Sequence, residues 1–450
     1  MRRAGAFSRC RTRGSKPLIA LRTLLAIVAA LAGTVGLLAS CASQPAIDPA
    51  PAPTRASFDP AVVVRGAQLE AIGDCRTCHT APGGRAFAGG RRIETPFGAI
   101  YSTNITPDRD TGIGRWSERA FTRAMREGID REGEFLYPVF PYDHFALVGD
   151  ADLHALYAFL MTRTPVSATS PPNELAFPFG FRPLLAAWQL LNPPRRRFVA
   201  DPARGDGWNR GKYLVGGLAH CGACHTPRNA MGGEERDRAF QGGEAEGWIA
   251  PALDASSPAA ARWTKARLER YLRNHAPPDA GIPAGPMLPV VHDLATAPAD
   301  DVADIATYMA SIAGTGNDEA KATASRVAAA RSPRAVTNDA GLRRGGDLYR
   351  AACATCHDAG RGVGSARAMP LRDSTALALS SPVNLLRIVQ DGVAPRDGEP
   401  GRFMPAFRGT FTTDQLADLA RYLRVSFGRG GAWADLDDDV RAVASGRSEG

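Results

Sequence analysis

The chain has 450 residues, a length that fits about three domains, and its formal net charge is +8. The surplus sits at the amino terminus: residues 1–40 hold seven of the 54 Lys and Arg and no acid, leaving 47 basic against 46 acidic residues in the remainder. A balanced remainder excludes nucleic acid as the partner.

From the start, Arg2, Arg3, Arg9, Arg11, Arg13, Lys16 and Arg22 precede the apolar run Leu24–Ala39. A basic stretch ahead of an apolar one reads as an export signal over residues 1–40. The run is shorter than the roughly 20 residues a spanning helix needs. Its end, Leu38-Ala39-Ser40-Cys41, resembles a bacterial lipoprotein cleavage box. That resemblance implies cleavage before Cys41 and lipidation of Cys41; an ordinary cleaved signal or an uncleaved anchor is the alternative. Every version places the remainder on the outer side of a bacterial inner membrane, at its periplasmic face. Residues 41–57, rich in Pro and Ala, are expected to form a semi-stiff tether.

One pentapeptide then occurs three times: Cys75-Arg76-Thr77-Cys78-His79, Cys221-Gly222-Ala223-Cys224-His225 and Cys353-Ala354-Thr355-Cys356-His357. C-x-x-C-H is the attachment pattern of c-type haem. On a helical turn, residues three and four apart share a face. Both thiols can reach the vinyl groups of one porphyrin while the imidazole sits under the iron. A zinc ribbon needs a second Cys pair about 15–20 residues on, whereas successive motifs lie 146 and 132 residues apart. A redox dithiol explains neither the His nor the recurrence. Six of the eight cysteines are consumed this way, so the chain is no disulfide scaffold. The reading is three covalently bound haems c, with His79, His225 and His357 as iron ligands.

The repeat extends past the motif. Ahead of each copy lie Gly66 and Leu69, Gly211 and Leu214, Gly345 and Leu348, reading as a first helix. At the far end lie amphipathic stripes: Leu153/Leu156/Tyr157/Leu160, Val302/Ile305/Ala306/Met309 and Leu416/Leu419/Ala420/Leu423. Asp150, Asp300 and Thr412 are candidate caps, and Phe159, Tyr308 and Tyr422 hold one equivalent position. First and last helices crossing beside a haem resemble the class I cytochrome c fold. The expected architecture is therefore all-α: three tandem, loop-rich domains at 58–168, 203–314 and 338–428. Between them fall an interdomain segment (169–202) and a linker (315–337), followed by a tail (429–450). The connecting run from Pro165 to Pro202 carries Phe177, Phe179, Phe181, Leu184, Leu185, Trp188, Leu190 and Leu191, too apolar to lie bare in water. It is expected to pack between the first two domains, or to meet a partner subunit or membrane. The acidic tail (Asp435 to Asp439) is expected at the surface.

An electron-carrying haem needs a second axial ligand, usually Met or His. Met404, in Phe403-Met404-Pro405, follows its haem His by 47 residues, and Met287, in Pro286-Met287-Leu288-Pro289, by 62. Pro-stiffened loops suit a ligand approaching an iron. In the first unit the equivalent loop, Tyr137-Pro138-Val139-Phe140-Pro141, offers Phe140, which cannot bind iron. His144 is the favoured substitute, Met125 the next candidate, and an open iron the third reading.

Three such units behind an export signal, with the runs 95–108 and 111–117 after the first motif, resemble the cytochrome c subunits of membrane-bound bacterial dehydrogenases. The stretches 136–145, 173–179 and 220–229 look most like subunits serving molybdenum hydroxylases such as nicotinate, isoquinoline and aldehyde dehydrogenases. Alcohol and gluconate dehydrogenase subunits are the alternative branch. The resemblance implies a non-catalytic electron-transfer subunit. Its partners would be dehydrogenase catalytic subunits, a quinone or terminal oxidase as acceptor, and the membrane. A haem enzyme with an open first iron and a free periplasmic shuttle are the competing classes. No nucleotide or flavin motif accompanies the glycines.

Overall fold

The computed structural model describes residues 44–273, 282–315, 339–358, 370–394, 403–428 and 430–446. The leader, Cys41 and most of the linker expected at 315–337 lie outside them. The first unit opens with α1 (Pro60–Gly73), capped by the Asp59 carboxylate, which accepts from the Ala61 amide at 2.8 Å. One turn, α2 (Cys75–Cys78), follows a corner made by Asp74 in the left-handed region (φ +49°). Then come β1 (Arg92–Thr95), β2 (Gly98–Tyr101), α3 (Glu118–Glu127), α4 (Tyr142–Phe145) and α5 (Asp150–Met161). The connecting segment supplies β3 (Glu174–Leu175) and α6 (Leu184–Leu191). The second unit runs α7 (Asp206–Gly216), α8 (Gly222–His225), β4 (Gly243–Ala245), β5 (Trp248–Ala250), α9 (Lys265–Leu272), α10 (Met287–Leu294) and α11 (Ala299–Ile312). The third has α12 (Ala340–Ala352), α13 (Ala354–His357), α14 (Val383–Asp391), α15 (Thr413–Phe427) and α16 (Leu436–Ala444).

The organising contact repeats three times, α1 on α5, α7 on α11 and α12 on α15. Glycine allows it. A Cβ on Gly66 would stand 2.0 Å from the Ala155 carbonyl oxygen; on Gly211, 2.0 Å from that of Asp304; on Gly345, 2.1 Å from that of Asp418. The same imagined atoms would meet the Cβ of Phe159, Tyr308 and Tyr422 at 2.6, 2.9 and 2.8 Å. Each pair thus crosses with backbones in contact and an aromatic closing the gap. The three apolar stripes read from the sequence are all buried.

Several expectations change. The fold is helix-rich but not all-α: β1-β2-β3 form an antiparallel sheet and β4-β5 a hairpin, Gly243 pairing with Ala250. Asp150 and Asp300 are not caps; Gly149 and Pro298 hold those positions, and the acids sit in the first turn, where the helix dipole favours them. Thr412 does cap, in a capping box with Gln415. Residues 44–50 are laid along the first unit, Gln44, Ile47 and Ala50 amides donating to the Gly133, Arg131 and Arg115 carbonyls, each at 2.9 Å. The tail is not simply surface: Leu436, Val440 and Val443 on α16 bury into the third unit beside Trp433. Their i, i+4, i+7 spacing makes a stripe that outweighs the acids on the opposite face.

The first two units share one continuous core, with Leu69, Leu153, Leu156, Leu214, Leu218 and Ile305 inside it, while the third has its own around Tyr349, Leu386 and Leu419. Across the shared boundary, Arg65 reaches Asp301 (2.9 Å) and Asp152 (3.6 Å), and Arg210 reaches Asp301 (2.8 Å) and Asp152 (3.4 Å). Each arginine comes from the first helix of its unit and each aspartate from the last.

Candidate haem-binding site

In each C-x-x-C-H turn the His amide donates back to the carbonyl of the first Cys, at 2.9 Å in the first unit and 3.0 Å in the other two. One helical turn is therefore closed three times over the same five residues, and both thiols project beside the imidazole. Among the described residues the six motif cysteines are free, although each pair is close in sequence.

The two motif histidines of the shared core are held from behind. His79 Nδ1 donates to the Thr103 carbonyl at 2.6 Å and His225 Nδ1 to that of Pro251 at 2.7 Å. A donor hydrogen bond at Nδ1 fixes the tautomer and leaves the Nε2 lone pair for a metal, the usual support of an iron-bound imidazole. Burial pushes both imidazoles below their ordinary range, the carbonyl contact opposing it only in part, so both stay neutral. The Thr103 carbonyl is itself anchored. Its neighbour Asn104 is buried, donating to the Val166 carbonyl (2.7 Å) and Thr111 Oγ1 (2.9 Å), while Thr106 Oγ1 donates to Asn104 Oδ1 (2.7 Å). The Thr-Asn-Ile-Thr run thus serves as the back wall of the first site.

Burial raises the thiols, Cys78 to about 11, Cys221 to about 12 and Cys353 to about 11. Thiols held protonated suit addition to porphyrin vinyls more than thiolate ligation of zinc; Cys78 and Cys356 are exposed and the other four partly buried. Two thiols and an imidazole, with Nε2 of His79 and His225 turned away from the bracing carbonyl, are the donor set covalent haem c requires, so the residues fit that group.

Met404 is pinned by a two-way backbone bridge with Val393 (2.7 and 3.0 Å) and packs on the third core, as does Cys353. Met287 begins α10 and is not in a free loop; it packs on the shared core, as does Cys221. His144 departs from expectation. Its Nδ1 meets the Gly216 carbonyl at 2.7 Å and its Nε2 meets Glu234 Oε1 at 2.6 Å, and the ring is 1% exposed. Both ring nitrogens face acceptors in this arrangement. The ring also lies against the second motif: a Cβ on Gly222 would be 3.0 Å from its Cε1. Phe140 packs on Phe145 (centroids 5.3 Å apart), and Met125 is buried on α3 in the shared core.

Sequence reasoning missed the residues that hold His144. Glu234 lies 90 positions away and also takes Arg195 Nη2 on Oε2 at 2.5 Å. Burial raises the Glu234 carboxyl, but His144, Arg195 and Arg228 outweigh it and hold the group at about 2. Asp143 joins the cluster, facing Arg195 and Arg236. No spacing rule links these positions.

Crossed helix pairs over C-x-x-C-H turns, with imidazoles braced by backbone carbonyls, define a c-type cytochrome. Residues 340–423 match the family described as cytochrome c oxidase, cbb3-type, subunit III. Over 398 residues the chain is 44% identical to a nicotinate dehydrogenase subunit of Pseudomonas putida, covering 87% of this chain but only 33% of that protein. It is 34% identical to the fructose dehydrogenase cytochrome subunit of Gluconobacter japonicus, covering 88% of this chain and 85% of that one. It is also 34% identical to the gluconate 2-dehydrogenase cytochrome c subunit of Pantoea cypripedii, covering 85% and 89%. The chain belongs to the family of cytochrome c subunits of bacterial dehydrogenases, and its role is electron transfer.

Proposed function

We propose that the chain carries three covalently bound haems c in three tandem cytochrome c domains. It passes single electrons from a membrane-associated dehydrogenase to quinone or the respiratory chain. The observation that carries the count is the threefold repetition of one geometry: the His amide returned to the first Cys carbonyl, with a glycine-mediated helix crossing behind it. Haem c supplies an iron that alternates between two oxidation states. The chain's own residues bind and tune it. Cys75, Cys78, Cys221, Cys224, Cys353 and Cys356 hold the macrocycles, and His79, His225 and His357 are the proximal ligands. Met287 and Met404 are the proposed opposite ligands, soft thioethers that raise potential.

A molybdenum-hydroxylase type of dehydrogenase is the favoured partner. The motifs at 136–145 and 173–179 support it, as does the identity to the nicotinate dehydrogenase chain. An alcohol or gluconate type is the alternative. Lipidation at Cys41 would hold the protein at the periplasmic face of the inner membrane. Among the described residues no helix is long and apolar enough to cross a membrane.

The test is a covalent haem count by mass and pyridine haemochrome on protein matured in an export-competent host. Three are expected, falling to two in Cys353→Ala; two in the parent protein overturns the count. A second reading, a first iron open to a small ligand, is favoured by the occupied nitrogens of His144 and by Phe140 in the ligand loop. Optical titration with cyanide decides it.

A further inference from the structure

The first two haem-attachment turns are neighbours in space. A Cβ on Gly73, just ahead of the first motif, would stand 3.1 Å from Leu218 Cδ1, just ahead of the second, and 3.3 Å from Cys75 Sγ. His220 Nε2 meets the Gly73 carbonyl at 3.3 Å. One ion pair also joins the two units here, and haem attachment does not call for it. Arg91 Nη2 donates to both oxygens of Glu246, each at 2.9 Å.

Each partner is anchored on a different turn. Arg91 Nη1 donates to the Thr77 carbonyl inside the first motif at 3.2 Å and lies 4.0 Å from Cys78 Sγ. The Arg91 backbone is fixed as well. Its amide donates to Ser102 Oγ and its carbonyl accepts from the Ser102 amide, both at 3.0 Å. Ser102 adjoins the Thr103 carbonyl that braces His79. Glu246 stands at the tip of the β4-β5 hairpin, whose root lies flush on the second motif: a Cβ on Gly243 would fall 2.4 Å from the Cys224 carbonyl oxygen. The hairpin thus reaches from the second turn to the first.

The tip is a strained place for this acid. Ala245 pairs with Trp248, so Glu246 and Gly247 are the two loop residues, with φ of +51° and +72°. Two positive φ values in a two-residue loop favour Asn, Asp or Gly, and another residue held there points to a use for its side chain. Stability is not that use. The two side chains are 21% and 34% exposed, and ion pairs open to water contribute little. Their charges act on the turns. Burial is the main force raising the Cys78 and Cys224 thiols, and the Glu246 carboxylate adds to the rise at both, while Arg91 opposes it at Cys78. One carboxylate is therefore felt on both sides of the junction.

We propose that Arg91 and Glu246 are positioning residues for electron transfer between the first two haems. The pair clamps the two attachment turns at a fixed spacing and cancels its own charge between them. The inference rests on the haem reading above, and the two fail separately: the haem count of the parent chain tests that reading, and the potentials and rates of its variants test this one.

The haem-loaded full chain is compared with Arg91→Gln, Glu246→Gln, the double variant and Arg91→Lys. Redox titration followed by haem absorbance gives the midpoint potentials, and flash photoreduction gives the rate at which an electron equilibrates among the haems. A lone carboxylate favours ferric iron and a lone guanidinium disfavours it. Glu246→Gln should therefore raise two of the three potentials and Arg91→Gln should lower them, the third staying fixed. The double variant should regain the parent's potentials yet equilibrate several-fold more slowly, because the clamp is gone. Arg91→Lys keeps the charge without the planar fork, so it should hold the potentials and slow equilibration; it carries the test alone if a glutamine variant loses haem. Shifts of one sign in both single variants, which loosening alone would produce, overturn the proposal. So do unmoved potentials, and so does equilibration at the parent rate in the double variant or in Arg91→Lys.

Discussion

His144 and Glu234 show how a side chain's role follows from its neighbours. With 1% and 4% of their side chains exposed, they form a buried pair wedged against the second haem-binding turn, and Arg195 completes the neutralisation. His144→Ala should therefore leave the axial ligation of the first haem, read from its low-spin EPR signals, unchanged. It should lower stability by about 3 kcal/mol in chemical denaturation, because Glu234 loses one of its partners in a buried site. Loss of a bis-imidazole signal would restore His144 as a ligand. Glu70, on α1 ahead of the first motif, behaves oppositely. Burial raises its carboxyl to about 7, although it accepts from the Arg76 amide at 3.0 Å. A raised acid favours the folded state below its unfolded value and loses that contribution as pH climbs toward 7. The stability gap between Glu70→Gln and the parent should be small near pH 4 and should grow in favour of the variant up to about pH 7.

At the scale of elements, the helix crossings are set by a few atoms. A Cβ on Gly211 would fall 2.0 Å from the Asp304 carbonyl oxygen, a backbone atom that cannot swing away. Gly211→Ala should force α7 off α11 and cost about 1–3 kcal/mol, the usual penalty of overpacking; thermal denaturation with haem absorbance as the probe measures it. The same substitution at Gly431, whose Cβ would meet nothing within 4 Å, is the control and should change little. Helix α16 teaches the converse: an acidic run at its start coexists with a buried stripe, because charges on one face do not keep the other out of a core.

At the scale of the molecule, the first two units act as one body, with a common core and the lattice of Arg65, Arg210, Asp152 and Asp301. Burial alone would raise the Asp301 carboxyl, but hydrogen bonds from Arg210 and Arg65 and their charges pull it below its ordinary value. A depressed acid stabilises above its unfolded pKa and loses that contribution as pH falls through the folded one. Acid below about pH 4 should weaken the joint, and Asp301→Asn should cost about 1–3 kcal/mol at neutral pH while flattening that dependence. Calorimetry with pH checks both. Among the described residues, the third unit meets the second through polar contacts. Asn384 exchanges two 2.8 Å bonds with the Ile249 backbone, and Arg262 donates to the Asp373 carbonyl at 2.5 Å.

The sequence by itself determined the chemistry-bearing pentapeptides, the three helix pairs and their buried stripes, because haem attachment and helix burial are both governed by local spacing. It also revealed where the apolar connecting segment and the Met-Pro loops lie. Only the tertiary structure decided what His144 binds, which carbonyls brace His79 and His225, that two units share a core, and that α6, with no buried residue, faces outward. Those outcomes depend on groups brought together from distant positions, such as Gly216 and Glu234 on His144 or Thr103 behind His79. Hydrogen-bond partners and exposure are properties of the assembled chain, and no periodicity encodes them.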